Sequence, residues 1–248
     1  MDKVLLEICC GSADDCEQAA LGGADRVELN SALFLGGLTP SAGVMRASRE
    51  ACPVPIMAMI RPRAGGFCYT AREFASMEYD ARALLELGAD GIVFGCLNED
   101  GTVDGARNRR LACIARDMGK QAVFHRAIDV VPDWRRALDA LIDMGIDRVL
   151  TSGQVPTAPQ GLDVIADMME YARGRIEILP GAGINASNIR SVLRATGCNQ
   201  AHMSAKSRRH DASCAGNSSI HFGGALYPPE DSFDIVDCAR VGELRERI

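Results

Sequence analysis

The sequence predicts an α/β protein folded as one domain over residues 1–248, a (β/α)8 TIM barrel. Three observations carry this reading. Eight short apolar runs recur about 28 residues apart, and longer segments of helical pattern stand between them. A short signal also repeats where helices give way to strands: Gly23-Ala24-Asp25-Arg26-Val27, Gly88-Ala89-Asp90-Gly91-Ile92 and Gly145-Ile146-Asp147-Arg148-Val149. In each, glycine closes a helix, a polar residue turns the chain and a strand begins. Strands that alternate with helices imply a parallel sheet with right-handed crossovers, and eight such units close a barrel. An open doubly wound sheet is disfavoured: Cys9-Cys10-Gly11-Ser12 follows the first strand in place of a G-x-G-x-x-G turn.

The strands are expected to begin near Val4, Arg26, Pro55, Gly91, Gln121, Arg148, Ile176 and Gln200. Helical periodicity places helices at Asp14–Leu21, Arg72–Leu87, Asp133–Met144 and Leu162–Ala172. No linker rich in proline or serine divides the chain. One segment breaks the rhythm, from the end of the eighth strand near Ser204 to a last helix expected near Phe233. A polar stretch that long is usually functional. Its part from Lys206 to Pro229 follows the eighth strand, so it is expected to cover the barrel mouth or a neighbouring subunit. It carries Arg208, Arg209 and His210, Asn217-Ser218-Ser219, and the glycines Gly216, Gly223 and Gly224.

Composition narrows the function. A length of 248 residues suits one large core, and 47 % hydrophobic with 24 % charged residues is ordinary globular usage. A net charge of −6 speaks against nucleic acid or an anionic membrane as partner. The N-terminal sequence has no secretory pattern and no run reaches membrane-spanning length. The expected location is therefore the cytoplasm. Ten scattered cysteines form no C-x-x-C pair, so most are expected to be free and buried.

Barrel chemistry sits at the C-terminal ends of the strands. Side chains two apart share a face, which turns Glu28 and Asn30 into the mouth and sets Glu7 beside Cys9. Glu7, Glu28, Arg61 and His125 then converge from four strands. Carboxylates beside a histidine suit proton transfer, with Glu7, Glu28 and His125 as the catalytic candidates. Arg61 and Arg63 offer planar forks to an anion. Asp129, Ser152 and His202 end strands five, six and eight. Gly181 and Gly183 form a glycine-rich turn before a helix, a frequent anion cradle. Cys9, Cys10, Cys68 and Cys96, with Met57, Met59 and Met203, bring soft metal donors to the same end. No organic cofactor is expected.

Motifs then align with a known family. LEICCGS from Leu6, GGADRVELN from Gly22, GGLTPSAGV from Gly36, IRPRAGGFCY from Ile60, FHRAID from Phe124, RVLTSGQ from Arg148, GAGI from Gly181 and Asn217-Ser218-Ser219 together resemble the CutC family. The resemblance implies a cytosolic barrel, a homodimer or larger assembly, and Cu(I) handling through cysteines that close the first two strands. Cys9 and Cys10 are the matching metal candidates. Two positions depart from the pattern. Asn30 stands where many relatives carry cysteine, and Met203 interrupts the H-C-S-A run of strand eight. Two readings follow: a copper homeostasis protein binding Cu(I), or a lyase, isomerase or hydrolase acting on a small anionic or sugar-like metabolite.

Overall fold

The computed structural model describes residues 4–217, 219–223 and 230–248. Eight parallel strands form one sheet: β1 (Leu5–Cys10), β2 (Arg26–Leu29), β3 (Ile56–Met59), β4 (Gly91–Phe94), β5 (Gln121–Phe124), β6 (Arg148–Thr151), β7 (Glu177–Pro180) and β8 (Gln200–Met203). They pair in the order β7-β6-β5-β4-β3-β2-β1-β8. β7 and β8 meet through a side chain, since Gln200 Nε2 donates to Glu177 Oε2 at 3.2 Å and to Ile178 O at 3.5 Å. A nearly closed (β/α)8 barrel results.

A helix follows each strand: α1 (Ala13–Leu21), α2 (Ala42–Ala51), α3 (Ala71–Glu86), α4 (Gly105–Asp117), α5 (Trp134–Met144), α6 (Leu162–Ala172), α7 (Ile189–Thr196) and α8 (Cys238–Glu246). Short polar side chains start several of them. Ser12, Asp104 and Asp133 accept first-turn amides, and Thr70 with Glu73 forms a capping box. Gly145 closes α5 at φ +75°, a conformation that favours glycine.

The repeated glycine–aspartate signal has a second use. Asp25, Asp90 and Asp147 each donate their backbone N–H to the preceding strand, at Leu6 O, Ile56 O and Ala122 O (2.9, 2.8 and 2.9 Å). Each carboxylate also accepts the N–H of that same residue, at 2.9, 3.0 and 2.7 Å. The aspartate thus fastens β2, β4 and β6 each to the strand before it and fixes the register of the pair.

Strand alternation divides the packing in two. Outward side chains such as Ile8, Val27, Ile92, Phe94, Phe124 and Val149 are buried under the helices. Each contributes roughly 1.5–3 kcal/mol by leaving water. Inside the barrel, Met57, Met59, Val93 and Val123 form a separate apolar cluster.

The described residues after β8 include a hairpin and not only a polar excursion. β9 (Lys206–His210) and β10 (Ser232–Val236) make an antiparallel hairpin, in which Arg208 pairs with Asp234 at 3.5 Å. Phe233 therefore lies in a strand, and the last helix begins five residues later at Cys238, capped by Asp237. The alternation of Phe233 and Ile235 with polar neighbours is a strand pattern, and cross-strand charge pairs complete it. Val236 N–H donates to Asp15 Oδ1 at 2.7 Å, which anchors the hairpin on α1. Ser218, Gly224 and Pro229 lie outside the described residues.

Asp147→Ala should lower the free energy of unfolding by about 1 kcal/mol, because Ala122 N–H loses its side-chain acceptor. Asp147→Asn retains an acceptor oxygen and should lose less. Urea unfolding of the two variants measures the difference.

Candidate functional site

A continuous polar chain fills the floor of the barrel. Arg148 donates to Glu177 Oε2 at 2.6 Å and to Gln121 Oε1 at 3.3 Å. Gln200 links Glu177 to Arg26, whose Nη2 donates to Gln200 Oε1 at 2.9 Å. Arg26 Nε in turn donates to Glu7 Oε2. The chain ends upward, where Glu7 Oε1 meets His202 Nδ1 at 2.7 Å. Glu7, Arg26, Arg148, Gln200 and His202 are all buried.

Above this floor opens a cavity of about 480 Å³ at the C-terminal ends of the strands. Cys9, Glu28, Asn30, Arg61, His125, Gly183 and His202 line it. Glu7 sits one layer below and reaches the cavity only through His202. Burial alone would raise its carboxyl, but Arg26 and His202 outweigh burial and hold it well below the usual carboxylate range. His202 is also pulled two ways. Burial disfavours its charge, while Glu28, Cys9 and Glu7 together push its imidazole well above the ordinary value.

One corner concentrates metal donors. Cys9 Sγ, a Glu28 carboxylate oxygen and a His202 ring nitrogen all lie within 4.8 Å of one another. Glu7 holds the Nδ1 side of His202, which leaves Nε2 for this corner. Asn30 Nδ2 donates to Glu28 Oε2 at 2.9 Å, and the Cys9 thiol lies 3.8 Å from the same oxygen. Burial raises both the Glu28 carboxyl and the Cys9 thiol. Asn30 therefore holds the Glu28 carboxylate in place.

The opposite wall is rich in donors. Arg61 Nη1 donates to the carbonyls of Leu35, Gly36 and Gly37 at 3.0–3.2 Å, and Nη2 to Gly65 O at 2.8 Å. Its guanidinium stacks 5.3 Å from the Phe67 ring centre. Arg61 thus binds the loops after β2 and β3 together, and Nε alone has no partner. His125 Nδ1 accepts the Ala127 N–H at 3.2 Å, which assigns the proton of the neutral ring to Nε2. That Nε2 is also unpartnered. Burial and the charge of Arg61 lower His125 to about 3.

Other expected residues stand elsewhere. Cys10 leaves the opposite face of β1 from Cys9. Its thiol points into the helical shell, 3.5 Å from Ile8 O, so the two cysteines cannot meet one ion. Arg63 turns away beyond the end of β3, pairs with Glu73 at 2.6 Å and is absent from the cavity wall. Asp129 and Ser152 form a closed network: the carboxylate accepts from Thr151 Oγ1 at 2.6 Å, Ser152 Oγ at 2.9 Å and Arg126 Nε at 2.8 Å. Gly181 makes room, since a Cβ there would stand 2.6 Å from Leu150 Cδ1. Cys96 packs outward, and Cys68 is exposed. Sequence reasoning did not single out Phe67, Leu33 or Ile184 as wall residues. Arg126 follows His125 directly and was visible in FHRAID, whereas the loop around Phe67 has no periodicity to orient it.

Comparison with known proteins decides the family. The CutC family matches residues 4–207, which covers all eight barrel strands. The chain belongs to the CutC family. A CutC family protein of Treponema denticola is 52 % identical over 236 residues, 95 % of each chain. A human copper homeostasis protein cutC homolog is 41 % identical over 240 residues, 97 % of this chain and 87 % of that one. A crystal structure of CutC from Streptococcus agalactiae is 33 % identical, with a TM-score of 0.76 over 81 % of this chain and 98 % of that one. β10 and α8 lie beyond the CutC match. No helix among the described residues is long and apolar enough to cross a membrane.

The state of His125 has a consequence for acid stability. An unfolded chain takes up a proton on histidine near pH 6.5, whereas the folded protein resists to about 3. A base lowered on folding makes stability fall as pH drops through this window. Between pH 7 and pH 5 this CutC protein should lose about 2 kcal/mol more than its His125→Phe variant. Urea unfolding at the two pH values checks this.

Proposed function

We propose that this CutC protein carries a copper ion, as Cu(I), at the corner formed by Cys9, His202 and Glu28. The convergence of a thiol, an imidazole nitrogen and a carboxylate oxygen within 4.8 Å carries this reading. The copper relation itself is supported by the family and by the human relative described as a copper homeostasis protein homolog. Copper is cargo here rather than a resident cofactor.

The donor chemistry fits. Thiolate and imidazole are good ligands for Cu(I), and two suffice for it. Glu28 is a harder donor, suited to accept a proton or hydrogen bond beside the ion. Glu7 supplies the carboxylate that orients a metal-binding histidine through its far nitrogen. Cys10, on the other face of β1, takes no part. With one sulfur instead of two, binding is moderate rather than tight. Cytoplasmic action is supported by ten free cysteines, which suit a reducing compartment. Assembly into a homodimer or larger homo-oligomer is supported by exposed apolar side chains such as Phe34 and Tyr79.

The acid–base reading has less support. Glu7 is locked as a carboxylate between Arg26 and His202, and His125 is held neutral far below the working range of a general acid. Neither suits proton transfer near neutral pH.

Competition with a chromophoric Cu(I) chelator under anaerobic conditions tests the proposal. Wild type should bind at most one Cu(I). Cys9→Ser and His202→Phe should each weaken binding at least tenfold, and Cys10→Ser should leave it unchanged. Affinity should fall with acidification, because Cys9 and His202 must each lose a proton to solvent in order to bind the metal. Equal binding by Cys9→Ser and wild type would overturn the reading.

A further inference from the structure

A copper ion fills a small part of a cavity of about 480 Å³ and leaves the opposite wall unexplained. Among the described residues, two donors on that wall lack acceptors, Arg61 Nε and His125 Nε2. Both side chains line the cavity and are more than nine-tenths buried, at 7 % and 4 % exposure. Buried donors are almost always satisfied, so two orphans on one wall point to an absent acceptor. Arg61 adds an electrostatic reason. It makes no ion pair with a carboxylate among the described residues; backbone carbonyls, the Phe67 ring and the Tyr69 hydroxyl surround its guanidinium. A buried cation without a counter-anion is costly.

We propose that Arg61 Nε–H and His125 Nε2–H form a binding subsite for the carboxylate of a small organic acid. Several features select this class. There is one fixed positive charge on the wall, and His125 adds a neutral donor, which together match a singly charged anion. Of the other cations at the cavity, His202 is engaged by Glu7 at 2.7 Å, Arg126 by Asp129 at 2.8 Å, and Lys206 lies 3.8 Å from Asp234. A phosphate dianion would find too little charge. Met59, Phe67, Leu150 and Ile184 give the surrounding wall an apolar character, so the acid has an apolar portion. Phe67 packs on both donors, 4.7 Å from the His125 ring centre and 5.3 Å from the Arg61 guanidinium. The donor nitrogens lie beneath the cavity surface, so binding requires the half-buried Phe67 ring to turn aside for the acid. The subsite does not depend on the copper proposal, since none of Cys9, Glu28 and His202 contributes to it.

The test uses the full chain freed of metal by a chelator, with benzoate as probe. Benzamide and inorganic phosphate serve as comparisons. Benzoate should bind saturably by calorimetry, at least tenfold tighter than either. His125→Phe and Arg61→Gln should each weaken benzoate binding at least tenfold. Because Arg61→Gln also removes bonds between two loops, a second measurement uses wild type alone. The ¹⁵N spectrum should show His125 protonated at Nε2, and that N–H signal should move as benzoate is added. Binding absent in wild type, unaffected by His125→Phe, or stronger for phosphate would overturn the proposal, as would an unmoved His125 signal. Because the protein is metal-free, a failure here leaves Cu(I) binding at Cys9 and His202 standing.

Discussion

The interior of this barrel depends on one buried carboxylate. Glu7 lies on the axis side of β1, sealed from water, and an isolated charge there would cost several kcal/mol. It keeps its charge because Arg26 binds one oxygen and His202 the other. From that pair the polar chain runs down through Gln200 and Glu177 to Arg148 on the far side of the floor. It runs upward through His202 to the corner that Cys9 and Glu28 share. Removing Glu7 would therefore strand a buried arginine below and free the histidine above.

The space inside the barrel is apportioned by glycines at positions that would otherwise carry inward side chains. A Cβ at Gly91 would stand 2.7 Å from Met57 Sδ, and one at Gly95 would stand 2.4 Å from His125 Cε1. The large inward residues of neighbouring strands occupy these gaps. His125 can lie flat against β4 only because Gly95 has no side chain. The His125 ring thereby faces Phe67 and Arg61 rather than the metal corner. Packing, rather than hydrogen bonding, separates the two halves of the cavity.

The barrel was legible because its signal is local and repeated. Glycine and aspartate before a strand are visible in the sequence, and their geometry recurs at three joints. Alternation also assigned Glu28 and Asn30 to the interior, and it held one residue past the end of β2. It failed farther beyond a strand. Arg63 lies beyond the last paired residue of β3, where the chain turns and the alternation ends. Adjacent residues were the second difficulty: Cys9 and Cys10 look equivalent as thiols but leave opposite faces of β1. Depth was the third. Glu7 and Glu28 both point inward, yet Glu7 is opposite Arg26 in the register while Glu28 is opposite Cys9. Such a stagger is fixed by pairing between strands and is not written in either strand alone.

The charge balance of the mouth connects its two halves. Glu7 offsets Arg26, and Glu177 offsets Arg148. What remains is the imidazole of His202, biased towards its charged form, and the guanidinium of Arg61. Against them stands Glu28, which burial biases towards its neutral form. The cavity is thus left with a surplus of positive charge in low dielectric, where it is weakly screened. Two events relieve it. On the proposed binding of Cu(I), Cys9 and His202 would release two protons to solvent as one cation enters, which would lower the charge at that corner by one unit. A carboxylate at Arg61 lowers it at the other wall. Each event reduces the repulsion that the other site feels, so occupation of one end changes the electrostatic cost of the other without any movement of the barrel.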